Sequence, residues 1–456
     1  MKMVLLYMPG NVLKKFKIPG MLVLLSLVQM FFAFVNGYPV VYSDTSTYIE
    51  SGFTFETPFD RPVTYGLFLW IASFNGVSLW LVIFFQSMVL SWLILLYFKK
   101  FVDRENYFSL SFFALLAVSL FSCLSWTSSQ LMPDVFTSVL LFATVLLVLS
   151  ETTVKEKIIL NIIILFSCAM HFSHVMFLFF LLCSIASIKI FSKKQQVIKA
   201  SWSIIVTVFL MAVISTITMG SAFSKSRHVF LMGAMTEHGI TKEYLDEFCP
   251  EKNYRLCTYK DSLPEKAWEF IWKKNSPLYV YGGWSDSKEE FNEIITATLT
   301  RPKYLWLHLK ASCTATLQQL IMFRMGDGNG AFLKETELYT RVEKYFPQEI
   351  ISYRESKQNR NELSFLPVFN FINIFLVGVS CLIILLLLLI KKELRKTFHP
   401  LLLLFMVGIT LNAWVCGTFA NAIDRLGSKM MWIIPFMAFT AVYLIIFKKG
   451  KMPEIQ

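Results

Sequence analysis

The chain has 456 residues, of which 55% are hydrophobic and only 16% are charged. This composition excludes a soluble globular fold of such length and predicts an all-α polytopic integral membrane protein. The net charge of +12 would suit a nucleic-acid partner if the basic residues lay together on one face. They lie instead in short loops beside apolar segments, so we expect no nucleic-acid binding.

Apolar segments of hydrocarbon length predict ten membrane spans. The predicted spans are residues 18–37, 78–98, 107–125, 133–150, 158–171, 174–191, 200–220, 366–390, 399–418 and 430–448. The segments predicted to be cytoplasmic hold 20 basic and 6 acidic residues, whereas the short outer loops hold 3 and 6. Because cytoplasmic loops are enriched in Lys and Arg, both termini are predicted to be cytoplasmic. We expect the membrane to be the bacterial inner membrane.

The apolar run over 158–190 is too long for a single span. A helix of 33 residues would be about 50 Å long at 1.5 Å per residue. The run is interrupted at His171-Phe172-Ser173-His174, so two short spans joined by a tight outer turn are predicted. This hairpin also keeps the basic clusters on either side of the run in the cytoplasm.

The spans divide the chain into three predicted parts. Residues 1–220 form a seven-span module, which includes the first outer loop, 38–77. Residues 221–365 form a small, mainly helical extracytoplasmic domain between spans seven and eight. Residues 366–456 form a three-span module with a cytoplasmic tail.

Two features of the insertion lead to predictions of their own. Cys249 and Cys257 lie eight residues apart in a polar stretch and would form a disulfide in an oxidising compartment. Residues 303–322 have apolar side chains on one face and predict an interfacial amphipathic helix. A further span is the alternative, although His308 and Lys310 would then lie near its centre at a cost of several kcal/mol.

Two aspartates lie next to predicted membrane borders on the outer side. Asp44 stands among hydroxyl residues in the first outer loop, and Asp134 follows Pro133 at the start of the fourth span. Each has an ordinary explanation, which is a turn or helix N-cap for Asp44 and a first-turn carboxylate for Asp134. Their shared face predicts a common cleft. There the pair would bind a divalent cation such as Mg²⁺ or Mn²⁺, or divide into a general base and a group that orients the acceptor.

Basic and imidazole groups are scarce on the outer face outside the insertion. Arg61, Arg425 and Lys429 are the basic residues there, and His171 and His174 lie at the tip of the predicted hairpin. Their ordinary roles are local ion pairs, headgroup contacts and local hydrogen bonds. A guanidinium also suits a phosphate, because its fork binds two oxygens at once. We therefore predict that these residues bind substrate or phosphate.

The first outer loop carries the motif Asp-Thr-x-x-Tyr, followed by Arg-Pro-x-x-Tyr-x-Leu-Phe-Leu. The motif residues are Asp44, Thr45, Tyr48, Arg61, Pro62, Tyr65, Leu67, Phe68 and Leu69. With seven spans before a large outer insertion, this pattern resembles the GT-C superfamily of polyprenyl-phosphate-dependent glycosyltransferases, which includes protein O-mannosyltransferases and aminoarabinose transferases. The resemblance covers mainly residues 18–220. The chain departs from several family members in having about three later spans, and in its Ile49-Glu50 continuation.

The resemblance implies that Asp44 is catalytic, as general base or metal ligand, with Asp134 as its partner and Arg425 at the donor phosphate. Tyr48 and Tyr65 belong to the matched motif and are expected to bind substrate. The implied reaction is an inverting transfer of a sugar on the outer face of the membrane. The implied partners are a polyprenyl-phosphate-linked sugar donor, membrane lipids, and a glycan, lipid or protein acceptor.

Two other functions stay open at this point. A polysaccharide polymerase or ligase that uses lipid-diphosphate oligosaccharides would also have ten or more spans and a large outer loop. A non-catalytic lipid or sugar-lipid transporter would carry polar residues in the middle of several spans, whereas these spans are almost free of charge. Aromatic residues of the insertion could floor a carbohydrate site, or pack the small domain and anchor it to headgroups. They include Trp268, Trp272, Tyr281 and Trp284.

Overall fold

The structure is a computed structural model that describes residues 18–191, 202–280 and 282–448. Tyr281, the start of the predicted span 200–220 and the predicted cytoplasmic tail after Lys448 therefore lie outside the described residues. The protein is 75% helical and the described residues contain no strand, so the all-α prediction is confirmed. An isolated bridge between Val40 and Gln130 joins the first two of the loops that were predicted to be outer.

The helices follow one another in three groups. Before the insertion they are α1 (Ile18–Gln29), α2 (Phe31–Asn36), α3 (Thr45–Thr54), α4 (Thr64–Ala72), α5 (Leu79–Tyr97), α6 (Tyr107–Phe121), α7 (Leu124–Ser128), α8 (Val135–Leu149), α9 (Val154–Ala169), α10 (Phe172–Phe191) and α11 (Trp202–Glu237). In the insertion they are α12 (Ile240–Phe248), α13 (Ala267–Trp272), α14 (Pro277–Val280), α15 (Lys288–Thr300), α16 (Pro302–Ile321), α17 (Glu337–Tyr345) and α18 (Ile350–Arg354). The last group is α19 (Leu366–Ile390), α20 (Lys392–Phe419), α21 (Asp424–Met431) and α22 (Ile433–Lys448).

Five helices of the described part are long and apolar enough to cross a membrane. They are Leu79–Val102, Phe172–Phe191, Leu366–Ile390, Phe398–Phe419 and Asp424–Lys448. Each coincides with a predicted span, and three further predicted spans correspond to the shorter apolar helices α1, α6 and α8. These helices support a helical membrane protein. The predicted number of ten spans is not confirmed and stays a prediction.

The apolar run over 158–190 folds as two helices, α9 and α10. A capping box begins α9: the Thr153 hydroxyl accepts from the backbone N–H of Glu156, and the Glu156 carboxylate accepts from that of Thr153. The chain then turns at Met170 and His171 before α10 begins. The interruption that the sequence carries at the two histidines is thus a break between helices.

Buried apolar residues form two clusters. The larger cluster runs from Met21 to Leu444 and joins the helices before the insertion to those after it. The smaller cluster runs from Val229 to Tyr304 and forms the core of a separate helical unit in the insertion. This unit contains a disulfide between Cys249 and Cys257.

The rest of the insertion packs on the larger cluster. Phe323 and Tyr353 are both buried there, so residues after α16 pack on one end of the apolar helices. Helix α16 itself packs against α20, where the Ser312 and Thr418 hydroxyls are 2.8 Å apart. Helix α16 is not one of the five helices in the described part that are long and apolar enough to cross a membrane. Its interfacial placement stays a prediction.

A buried carboxylate fastens this covering segment to the helix bundle. Glu349 accepts hydrogen bonds from the Tyr38 hydroxyl at 2.7 Å, the Ser78 hydroxyl at 2.5 Å and the backbone N–H of Leu79 at 3.3 Å. Because Leu79 begins α5, the negative charge also faces the positive end of that helix dipole. Glu349 therefore ties the insertion to α5 and to the segment that leads into the first outer loop.

We predict that Glu349→Leu lowers the thermal midpoint of the detergent-purified protein by roughly 3 °C. The physical reason is that it leaves buried donors unsatisfied, at about 3 kcal/mol in total. The measurement is the reaction of a thiol-specific dye with the buried cysteines, including Cys123 and Cys168, during heating. The control is Glu355→Leu, because the Glu355 side chain is 58% exposed. Equal midpoints for Glu349→Leu and wild type would contradict the role given to this carboxylate.

Candidate active site

Four separate chain segments bring charged side chains together at one end of the bundle. We call this set the charged cluster. Its members are Asp44 at the start of α3, Arg61 just before α4, Asp134 at the start of α8, and Arg425 and Lys429 in α21. All five were predicted as site residues, and the structure places them within ion-pair distance of one another.

Close packing of α3 on α4 sets the first half of the cluster. Gly52 and Gly66 face each other across the two helices, and a Cβ on either would overlap the backbone or side chains of the opposite helix. Only glycine permits this approach. The crossing fixes the loop between the helices so that Arg61 lies beside Asp44.

Asp44 is held by two guanidinium groups. Its Oδ1 is 3.2 Å from Arg61 Nη1, and its Oδ2 is 3.4 Å from Arg425 Nη1. Asp44 does occupy the N-cap position of α3, but its side chain makes no capping hydrogen bond. The ordinary explanation by helix capping therefore does not account for this carboxylate.

Asp134 is the more deeply buried carboxylate. Its side chain is 8% exposed, against 26% for Asp44. Asp134 Oδ1 is 3.7 Å from Lys429 Nζ, and Oδ2 is 3.8 Å from Arg425 Nε. Like Asp44, it stands at a helix N-cap position without a capping hydrogen bond from its side chain.

Arg425 lies between the two carboxylates and contacts both. Its guanidinium also stacks over the Tyr42 ring at 4.1 Å. In the ion pair between Arg425 and Asp134, the atoms Arg425 Nε and Asp134 Oδ2 are buried and have no hydrogen-bond partner among the described residues. Buried polar atoms are normally satisfied, so these two atoms keep the capacity for a further hydrogen bond.

Arg61 is anchored from its other side. Asp60 accepts from Arg61 Nη2 at 2.5 Å and from Nε at 3.1 Å, which makes a two-point ion pair. The guanidinium also lies 5.2 Å from the centre of the Tyr48 ring. Such a fork fixes the orientation of the guanidinium, and the remaining Nη1 then points at Asp44.

The two guanidinium groups change the acidity of Asp44. Burial alone would raise its pKa, but Arg61 and Arg425 outweigh burial and hold the pKa below the ordinary value of 3.8. Tyr42 shows the opposite shift, because burial raises the pKa of its hydroxyl. At neutral pH the cluster therefore presents an ionised Asp44 beside a protonated phenol.

The two histidines differ in their surroundings. His174 is buried, and both ring nitrogens are engaged, by the Thr137 hydroxyl at 2.8 Å and the Ser167 carbonyl at 2.7 Å. His171 lies in the turn before α10, where its Nδ1 is 2.8 Å from the Ser173 hydroxyl. Burial, and after it the positive charge of Lys429, lowers the pKa of His171 to about 3, so its ring is neutral. The charges of the cluster act on His171, so its ring lies within electrostatic range of the charged cluster.

Tyr65 lies behind the cluster. It is fully buried, packs edge-on against Tyr48 at 4.9 Å, and donates from its hydroxyl to Gln86 at 3.0 Å. Gln86 in turn donates to the carbonyls of Ser128 and Gln130 in the second outer loop. Tyr48 therefore borders the cluster, whereas Tyr65 supports Tyr48 and links the first two outer loops.

The donor set does not favour a metal ion. Among the described residues, no group of three His, Cys, Asp or Glu side chains is placed to hold one. Each carboxylate oxygen of Asp44 and Asp134 already lies within 3.8 Å of a basic side chain. A divalent cation would have to displace Arg425, so the residues as arranged do not fit it. The Mg²⁺ or Mn²⁺ expected from the sequence stays a prediction.

Two amide side chains that the sequence did not single out hold the approach to Asp44. Gln358 accepts from the backbone N–H of Val41 at 3.0 Å and donates to the carbonyl of Val41 at 2.8 Å. Asn329 donates to the same carbonyl at 2.7 Å. Val41, three positions before Asp44, is thus held by two side chains of the insertion. Isolated amides in a polar stretch carry no local signal of such a contact.

The loop over 323–330 also reaches the site. Gly328 has φ +70° and lies against the Tyr42 ring, where a Cβ would overlap the ring atoms. The Asp327 carboxylate accepts from the backbone N–H of Arg425 at 3.4 Å. The glycine-rich run Gly326-Asp-Gly-Asn-Gly is a turn signal in the sequence, yet nothing local to it indicates that the turn lies on Tyr42.

The fold and the site together define an all-helical protein with several membrane-length apolar helices and a buried cluster of paired charges at one end. No protein-family model, curated protein or solved structure matches the chain. The functional argument therefore depends on the geometry of the cluster itself.

We predict that Gln358→Leu loosens the segment before Asp44. With both hydrogen bonds to Val41 removed, amide exchange over residues 40–46 is expected to become about tenfold faster, which corresponds to ~1.4 kcal/mol of easier local opening. Hydrogen–deuterium exchange with mass spectrometry measures this directly. The control is Gln348→Leu, whose exposed side chain donates to the carbonyls of Gly76 and Val77 instead. Unchanged exchange in Gln358→Leu would contradict the role given to the hydrogen bonds between Gln358 and Val41.

The lowered pKa of Asp44 predicts a pH dependence of stability. A carboxylate whose pKa is lower in the folded state stabilises the protein above its unfolded pKa, and this stabilisation is lost as the pH falls through the folded pKa. Asp44→Asn is therefore expected to cost roughly 2 kcal/mol of stability between about pH 5 and 8, with the difference shrinking below about pH 4. Thermal midpoints of both proteins across this range test it. A difference that disappears already near pH 6 would contradict the assigned ion pairs.

Proposed function

We propose that the protein is a membrane glycosyltransferase that transfers a sugar from a polyprenyl-phosphate donor to an acceptor on the outer face of the membrane. The observation that supports this best is the position of Arg425, which contacts Asp44 and Asp134 and keeps a buried, unsatisfied Nε beside the latter. A guanidinium and an ammonium beside two carboxylates supply the groups that an acid–base transfer with a phosphate leaving group needs.

Asp44 is the proposed general base. Its side chain is the more exposed of the two carboxylates, so an acceptor can reach it. In the proposed step the acceptor oxygen or nitrogen attacks the anomeric carbon from the face opposite the phosphate. The acceptor proton passes to Asp44, the bond between the anomeric carbon and the phosphate oxygen breaks, and the phosphate leaves with the electron pair. The configuration at the anomeric carbon inverts.

Arg425 and Lys429 are the proposed binding groups for the leaving phosphate. Lys429 is buried and Arg425 is mostly shielded, with side-chain exposures of 2% and 12%, and charge–charge attraction is strongest where water is excluded. Asp134 holds both cations in place and prevents an uncompensated positive charge in the free protein. His171, neutral and within electrostatic range of the cluster, can donate or accept a hydrogen bond without changing the charge.

Donor binding and base strength are coupled through Arg425. In the free protein Arg425 helps to hold the pKa of Asp44 low, which makes Asp44 a weak base. A phosphate that takes over Arg425 weakens that ion pair and raises the pKa of Asp44. The base is thus strengthened when the donor is in place, which limits unproductive proton transfer.

The proposal includes a location. The five membrane-length helices and the basic loops at their other ends favour an inner-membrane protein with both termini in the cytoplasm and the charged cluster on the outer face. There a lipid-linked sugar can reach the cluster laterally from the bilayer. Glycans, lipids and proteins all present suitable hydroxyl or amino groups on that side.

The test is transfer by the purified protein in detergent, with undecaprenyl-phosphate carrying radiolabelled glucose, mannose or aminoarabinose as donor. We expect label to leave the lipid with wild type, and Asp44→Asn to reduce the rate about 10²- to 10⁴-fold, the usual range for loss of a general base. Asp134→Asn is expected to lower the rate as well, since it releases Arg425 and Lys429. The matched control is Glu56→Gln, an exposed carboxylate of the same loop.

A chelator arm separates the two roles considered for the aspartates. Because the carboxylate oxygens are already paired with basic groups, EDTA is expected to leave the wild-type rate unchanged. Turnover by Asp44→Asn at the wild-type rate would overturn the proposed mechanism. Loss of wild-type turnover in EDTA, restored by Mg²⁺ or Mn²⁺, would return the aspartates to the role of metal ligands.

A further inference from the structure

A group of aromatic rings lies between the first outer loop and the helical unit of the insertion. Trp284 stands at its centre, with ring-centre distances of 5.5 Å to Phe59, 5.6 Å to Phe230 and 5.5 Å to Trp272. We call these four residues the aromatic patch. Three of them come from the insertion and the fourth from the loop that carries Asp44.

Part of the patch is open to its surroundings. Trp272 is 46% exposed and Phe59 is 40% exposed, whereas Trp126 and Trp432 are almost completely buried in the helix bundle. Exposed aromatic side chains that cluster mark a binding surface more often than isolated ones do. The core of the insertion does not need these exposed faces, since Phe270 and Phe291 fill it.

The patch is continuous with the charged cluster along the chain. Phe59 directly precedes Asp60, whose carboxylate holds Arg61, and Arg61 contacts Asp44. The Lys225 ammonium lies 5.9 Å from the Phe59 ring, which adds a basic group beside the patch. A molecule seated on Phe59 would therefore lie two residues along the chain from Arg61, which contacts the proposed general base.

The chemistry of the patch fits a sugar ring better than a hydrocarbon chain. The indole rings of Trp272 and Trp284 carry N–H donors at their edges, so the patch offers donors as well as apolar faces. A pyranose has an apolar C–H face and a rim of hydroxyl groups, which match a ring surface with donors at its edge. A lipid tail has no group that would use the donors.

We propose that the aromatic patch binds a sugar unit of the acceptor and holds it beside Asp44. The inference depends on the proposed transferase function for its purpose, but not for the binding itself. It narrows the acceptor from a glycan, lipid or protein to a glycan or a glycosylated molecule.

The test is saturation-transfer difference NMR on the full-length protein in detergent, with an equimolar mixture of cellotetraose, maltotetraose and chitotetraose as probes. We expect wild type to give a saturation-transfer signal on at least one tetrasaccharide. Trp272→Ala is expected to weaken binding about 5-fold or more, because the sugar then loses contact with a large exposed ring of the patch. The control is Trp306→Ala, which removes a 67% exposed tryptophan of α16 outside the patch.

A second variant keeps the test independent of folding defects in the insertion. Phe59→Ala removes the ring on the first outer loop, and it is expected to reduce transfer as Trp272→Ala does. Both variants must keep the Cys249–Cys257 disulfide, checked by mass spectrometry. The proposal would be overturned if wild type gave no saturation-transfer signal on any of the three probes, or if both variants gave the full wild-type signal.

A membrane-anchoring role gives a different result. In nanodiscs made with brominated acyl chains, lipid contact would quench Trp272, and the Trp272→Phe variant would lose that quenched fraction; this outcome overturns the proposal. The NMR test uses no donor, so failure of the transfer reaction with intact sugar binding would contradict the proposed chemistry alone. Intact donor turnover without sugar binding would contradict the patch alone.

Discussion

The buried position of Arg425 between two carboxylates is the constraint on which the site depends. Arg425 is separated from Asp44 by 381 residues along the chain, yet their side chains meet at 3.4 Å. Removing one partner of a buried ion pair leaves an uncompensated charge and costs roughly 3–5 kcal/mol. The segment before α3, the start of α8 and helix α21 are thus held together by ion pairs that are costly to break, and the loop over 323–330 packs against them.

The same ion pairs explain how the five side chains of the charged cluster can lie in a largely apolar bundle, since each charge has a partner of opposite sign. In the free protein Arg61 and Arg425 keep Asp44 ionised and weakly basic, and Asp134 compensates Lys429. In the proposed function a phosphate would compete for the cations that the aspartates hold, so that donor binding would also strengthen Asp44 as a base. The hydrogen bonds from Gln358 to Val41 and the aromatic patch then have complementary roles in the proposed function. These hydrogen bonds fix where Asp44 lies, and the patch lies where a second substrate would approach.

Much of this arrangement could be predicted from the sequence, and the rest could not for physical reasons. Apolar length and loop charge predicted the helical class and placed Asp44, Asp134 and Arg425 on one face, because topology alone brings loop residues to the same side. A turn or helix cap explained Asp44, and a first-turn carboxylate explained Asp134, equally well on local grounds; the structure shows that neither side chain makes a capping hydrogen bond. The Gln358 clamp and the packing of Gly328 on Tyr42 were missed, because such contacts join residues far apart in the chain. The ten-span count stays open, because helices of 12 to 16 residues are shorter than hydrocarbon thickness requires.

The most direct test of the account is calorimetric binding of farnesyl phosphate to the detergent-purified protein. The account predicts at least tenfold weaker binding by Arg425→Gln, equal to about 1.4 kcal/mol, with Lys310→Gln, an exposed lysine, unchanged. It also predicts tighter binding by Asp44→Asn, because the phosphate then no longer competes with a carboxylate for Arg425. Equal affinities for wild type, Arg425→Gln and Asp44→Asn would contradict the claim that the charged cluster is built for a phosphate.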